Sequence, residues 1–263
     1  MDTKTVYITK KLTETGDYIL ETDASFENTD LDVIDVVITG ESNSPDLRRF
    51  RVYYQTAPNY GRYSEYMKRH GCACCSLTTA LTGYSDKYRE LKPEQTVDIV
   101  EAGHFAKASY MLNYKKPMML QMPVSLYGIS RILALEGIRN RYVGDFSDKA
   151  ASADIRTHLL SGMPVIVETS RMRRENGIVV DKNDKKYAGS YHTQILLGMT
   201  EAGKVIFTDS ANRVWSGTRQ RLKMSELDDI IKYMFPQKNT DDAHPYFSHR
   251  SNTGGYILID EAL

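Results

Sequence analysis

"HGCACCSLTTALTGY", residues 70–84, holds all three cysteines of the 263-residue chain. From Cys72 onward, small and apolar residues recur at helical spacing, and Gly83 is placed to stop the run. The segment predicts a buried helix that opens at Cys72, with Gly71 breaking the loop before it. At the first position of a helix, unpaired N–H groups and the helix dipole favour a thiolate and lower its pKa. Those N–H groups can also hold an oxyanion. Structural zinc is the competing reading of the cluster, and it calls for a second cysteine pair or two histidines at matching distance. Cys72, Cys74 and Cys75 have no such partner set, and His70 would crowd four ligands into six residues. A vicinal Cys74–Cys75 disulfide would distort the peptide between them. Cys74 and Cys75 read as buried small residues, and Cys72 as the candidate nucleophile.

The flanking sequence sets an α+β layout. Residues 1–45 carry short β segments, "TVYIT", "DYILET" and "DVIDVVITGE", which predict a small N-terminal β extension. "RRFRVYYQ" is a further strand ending near Gln55. "KPEQTVDIVEAGHF" and "SLYGISRILALEGI" read as helices, the first with Pro93 in its opening turn and the second with Ser125 as N-cap. "SADIRTHLLSG" is a helix closed by Gly162, and "MPVIVETS" a buried strand. "YHTQILLGMTEAGKVIFTDS" gives strands over 192–199 and 204–209, "SELDDIIKYMF" a late helix and "GGYILIDEA" a last strand. Helices dominate 72–140 and strands dominate 163–263, so residues 46–263 predict one domain with a helical lobe packed on an antiparallel sheet. The polar stretch 237–253 reads as a mobile loop.

Composition narrows the function classes. Thirty-four basic residues balance 34 acidic ones, so nothing in the charge points to nucleic acid or an anionic membrane. No apolar run approaches the roughly 18 residues of a spanning helix. The N-terminus lacks the layout of a signal peptide, so the chain as written reads as cytoplasmic, and as secreted if a signal has been removed. Three adjacent cysteines do not make an extracellular disulfide framework.

A nucleophilic cysteine needs a histidine, normally distant in sequence. Of six histidines, His70 is too near Cys72, His104 and His158 fall in helices, and His244 and His249 lie in the polar late loop. His192 remains, at the start of "HTQILLG". Asp209 ends the following strand, and a hairpin of the two strands would bring both to one open end. An acid there fixes the imidazole tautomer.

"GCACCSLTTAL", "GMPVIVETS", "YHTQILLGM" and "KVIFTDSANR" together resemble the papain-like cysteine peptidases of bacteria. The nearest branch is that of the bacteriocin-processing (double-glycine leader) peptidases, and the resemblance spans about residues 52–210. It implies a papain-like fold, with Cys72 as nucleophile, His192 as base, Asp209 as third member and Gln55 completing the oxyanion hole. It also implies a peptide or protein substrate, cleavage of a peptide or isopeptide bond, and no cofactor. "Ala-Cys-Cys" departs from the usual small or Pro residues after the nucleophile. No transporter segment accompanies the motifs, so transporter-coupled leader cleavage is not implied. Alternatives are a non-catalytic peptide-binding module, an acyl or amide transferase, and a thiol or metal sensor. "GMTEAGKV" matches a phosphate-loop spacing but joins two strands instead of opening a helix. "RMRRENG", 171–177, reads as a solvated basic loop.

Overall fold

A computed structural model describes residues 3–29, 31–40, 48–57, 60–104, 123–184, 186, 191–211, 220–237, 246 and 254–261. Most of the expected loop 237–253 therefore lies outside the described residues.

The chain opens with β1 (Thr3–Leu12), β2 (Tyr18–Glu21), β3 (Val33–Gly40) and β4 (Arg48–Tyr53). These form a four-stranded sheet in the order β2-β1-β3-β4, in which β1 and β3 run parallel. Three helices follow: α1 (Ser64–Tyr84), α2 (Pro93–Ile99, continued by a wider turn to His104) and α3 (Leu126–Leu135). After α3 come β5 (Asn140–Val143), α4 (Asp148–Leu160), β6 (Val165–Thr169), β7 (Arg173–Glu175) and β8 (Ile178–Asp181). β9 (His192–Met199), β10 (Lys204–Thr208), β11 (Leu222–Glu226), α5 (Leu227–Ile231) and β12 (Tyr256–Ile259) complete the described elements.

The second sheet has six antiparallel strands in the order β11-β10-β9-β6-β12-β5. Both of its faces are covered, so its strands are apolar at successive positions rather than alternating. Ile166, Ile195, Leu197, Ile206, Ile257 and Ile259 join one core with α1, α3 and the N-terminal strands. Their neighbours Val165, Val167, Leu196, Val205, Phe207 and Leu258 point to the other face, against α4 and α5.

Ser125 caps α3 through the Gly128 N–H, as expected. The N-terminal strands form a sheet of their own that packs on the second sheet. Their sheet runs past residue 45 to take in β4, and Leu20 of β2 packs on Gly198 of β9. Isolated sequence reading identifies "RRFRVYYQ" as a strand but not its neighbour. Residues 171–177 are not a solvated loop. They form most of the β7–β8 hairpin, whose Asn176-Gly177 turn has both residues at positive φ, as the favoured two-residue hairpin turn demands. Arg174 is only 3 % exposed, where it pairs with Asp148 and donates to the Met234 carbonyl.

The close fit of α1 to the first sheet yields a stability prediction. A Cβ on Gly83 would meet the Phe50 ring at 2.1–2.3 Å, and both residues are buried. Gly83→Ala is expected to destabilise the fold by about 1–3 kcal/mol through overpacking. Urea titration reads this as a lowered midpoint; an unchanged midpoint would mean that this contact does not hold α1 to the sheet.

Candidate active site

α1 brings Cys72 to the end of the six-stranded sheet where β9 begins. Ser76, one turn along, anchors the helix there by donating to the Thr193 carbonyl at 2.9 Å. Antiparallel pairing of β9 with β10 returns the chain to the same end, so His192 and Asp209 meet. His192 Nε2 and Asp209 Oδ1 are 2.8 Å apart, and both residues are 3 % exposed. That bond leaves Nδ1 of His192 for Cys72, with which the imidazole interacts.

Asp209 is held from several sides. Its Oδ1 also accepts from the Ala211 N–H at 2.7 Å, and its Oδ2 accepts from Lys223 Nζ at 2.5 Å. Burial alone would raise its pKa, but the charges of His192 and Lys223 outweigh burial and hold the carboxyl well below the usual range. Burial would likewise lower the His192 pKa; Asp209, first by charge and then by hydrogen bond, pushes it up to about 9. Burial works against a Cys72 thiolate. The hydrogen bond and charge of His192, helped by the Thr193 N–H and the Tyr191 hydroxyl, bring the thiol below its ordinary value. The site favours a thiolate facing an imidazolium.

One expectation about Cys72 is overturned. It does not open a helix; α1 begins at Ser64, so Cys72 lies two turns inside. Its N–H belongs to the helical ladder and is not a free oxyanion donor, and His192 rather than the helix terminus lowers its pKa. Gly71 misled because it serves packing rather than a helix boundary. A Cβ there would meet Met67 Cε at 2.9 Å and Gln55 Cβ at 3.1 Å, so glycine lets Gln55 lie against α1 next to Cys72.

Gln55 is brought to the site from the other direction. Its N–H donates to the Ser210 carbonyl at 2.9 Å, and its Oε1 accepts from Ser210 Oγ at 3.3 Å. Ser210 follows Asp209, so one short segment positions both side chains. With Oε1 engaged, the Gln55 amide turns its Nε2 donors away from Ser210.

All four residues singled out in the sequence are thus found together. The other described histidines are elsewhere: His104 bonds Glu136 and His158 bonds the Ile259 carbonyl. His70 stacks obliquely on Tyr66, and burial lowers its pKa. Among the described residues, no group of three or more His, Cys, Asp or Glu side chains is arranged to hold a metal ion, and no helix is long and apolar enough to cross a membrane.

The Peptidase_C39 like family matches residues 49–238, most of the chain. The chain belongs to this family. It is therefore a cysteine peptidase in the broad sense, with the α+β papain-like fold and the kinship to bacteriocin-processing peptidases that its motifs suggest. No curated protein and no solved structure shows significant similarity to it.

In this Peptidase_C39-like chain the remaining two cysteines are buried and free. Cys74 donates to the Pro93 carbonyl at 3.2 Å. Burial, then the charge of Glu94 for Cys74 and of Cys74 for Cys75, pushes both thiols up, so they stay protonated. Two further site residues escape the sequence reading. Lys223 is reached only by extending the β9–β10 hairpin to β11. Glu168 stands as a single acid in the apolar run "MPVIVETS", and it is 4 % exposed.

Proposed function

We propose that this chain is a thiol hydrolase that cleaves peptide or isopeptide bonds through Cys72, His192 and Asp209. The observation that carries the reading is the buried His192–Asp209 hydrogen bond beside Cys72, which supports a preformed thiolate–imidazolium pair. The Cys72 thiolate attacks the scissile carbonyl carbon, forming a C–S bond and an oxyanion. Gln55 Nε2 donates to that oxyanion. As the oxyanion collapses, the C–N bond breaks and the His192 imidazolium gives its proton to the departing amine. His192, neutral again, takes a proton from water as it attacks the thioester. Collapse of that second adduct breaks the C–S bond, releases the acid and restores the Cys72 thiolate beside the His192 imidazolium. Asp209 holds the ring orientation throughout, and Lys223 holds Asp209.

Digestion of a mixed peptide library, read by mass spectrometry, tests the assignment. The native protein is expected to generate new termini, Cys72→Ala none, and Cys74→Ala and Cys75→Ala the native set. Cleavage surviving in Cys72→Ala would refute the choice of thiol.

A further inference from the structure

Arg221 is 1 % exposed and ranks with the largest fully buried side chains. Taking a guanidinium out of water is expensive, and an apolar side chain would fill the same space at less cost. What the arginine adds is its bonds, and they converge on the segment that follows β10. Arg221 Nη2 donates to the Ala211 carbonyl at 2.9 Å, and the Asp209 N–H donates to the Arg221 carbonyl at 2.9 Å. One residue therefore holds the segment 209–211 at both ends.

Inside that clamp a single peptide unit serves two site residues. The Ser210 carbonyl accepts the Gln55 N–H at 2.9 Å. On the other edge of the same peptide, the Ala211 N–H donates to Asp209 Oδ1 at 2.7 Å. Tilting this peptide would move Gln55 and Asp209 together. The guanidinium also lies over the ring of Tyr54, 4.7 Å from its centroid, and Tyr54 precedes Gln55 in the chain. Both lines are anchored by residues that come before the family match, which starts at 49. The Arg221 N–H donates to the Thr29 carbonyl at 3.1 Å, and the Tyr54 N–H to the Asp32 carbonyl at 2.7 Å. Thr29 is itself buried, and its hydroxyl closes the turn Phe26–Thr29 on the Phe26 carbonyl at 2.7 Å. The N-terminal segment thus braces the end of the sheet that carries the triad.

We propose that Arg221 is a positioning residue for the thiol chemistry, holding Asp209 to His192 and Gln55 to the oxyanion through the Ser210–Ala211 peptide. The proposal rests on Cys72, His192 and Asp209 being the working triad. What Arg221 contributes is geometry rather than charge. Its planar guanidinium gives a fixed fork and a flat face for Tyr54, and a lysine ammonium of the same charge gives neither. Displacing a catalytic group by ~1 Å from a distance can cost about a hundredfold in rate.

The test follows the rate of Cys72 alkylation by iodoacetamide against pH, read by peptide mapping, in the native protein, Arg221→Lys and Arg221→Ala. When Asp209 loses its hold on His192, the imidazolium supports the thiolate less and the thiol titrates higher. Each unit of that shift slows alkylation at pH 6 about tenfold. Arg221→Ala is expected to react about tenfold slower than the native protein there, and Arg221→Lys at least about threefold slower although it keeps the charge. Where the alanine variant does not fold, the lysine variant decides. Native alkylation at every pH in Arg221→Lys overturns the proposal. So does a lowered urea midpoint in that variant with the Cys72 titration unmoved, since Arg221 would then hold the fold and not the triad. The native protein separates this proposal from the reading beneath it. Equal labelling of its three cysteines takes down the triad and the role of Arg221 together. Preference for Cys72 in the native protein, with Arg221→Lys alkylated at the native rate, takes down the role of Arg221 alone.

Discussion

His192→Ala is expected to lower peptide hydrolysis by about 10²–10⁴-fold, the range for removal of a positioned acid–base group. The imidazole does two things that no described neighbour replaces. It stabilises the buried Cys72 thiolate, against the desolvation that burial imposes, and it delivers the proton to the departing amine. The variant should therefore lose both nucleophile ionisation and leaving-group protonation, and the Cys72 thiol should titrate above its native value. The measurement is the rate of cleavage of any peptide found in the library digestion, alongside the pH dependence of thiol alkylation. A loss under fivefold would show that another group carries the proton.

The second large effect is on pH dependence. In the native protein, hydrolysis should be bounded on the acid side by protonation of the Cys72 thiolate, below the ordinary thiol range, and on the basic side by loss of the His192 proton at about 9. Asp209→Asn removes the charge that raises the imidazolium pKa, so the basic limb should move down, with roughly a tenfold loss of imidazolium stabilisation per unit moved. Stability follows the same linkage. The Asp209 carboxyl is depressed on folding, so its contribution is present above about 3.9 and is lost as pH falls through its lowered folded value. His192 is raised, so its contribution is complete below about 6.5 and is lost as pH rises through about 9. Urea midpoints should therefore peak between those limits in the native protein and depend less on pH in Asp209→Asn. An unchanged basic limb would detach Asp209 from His192.

The pairing of His192 with Asp209 was legible because it follows from one local rule. Two strands joined by a short turn pair antiparallel, so the start of one meets the end of the next, and the Met199–Val205 register does this. The covered sheet was also legible, since runs such as "VIV" and "ILL" have no polar position to offer solvent. The helix start was not. A glycine marks a boundary or a close approach with equal ease, and only the position of Gln55 against Gly71 decides between them. Arg174 looked like part of a solvated basic run because its partners, Asp148 and the Met234 carbonyl, are remote in sequence. Glu168 had a visible signal, an acid inside a buried strand, whose meaning depends on which face it occupies and on the helix lying over that face.

The central claim is that Cys72, alone of the three clustered thiols, is held as a thiolate by His192. Limiting iodoacetamide at about pH 6 followed by peptide mapping tests it most directly, because most ordinary thiols are protonated there. Alkylation should fall on Cys72, with Cys74 and Cys75 unmodified in the folded protein, and His192→Ala should abolish the preference. Equal labelling of the three cysteines, or Cys72 labelling that persists undiminished in His192→Ala, would contradict it.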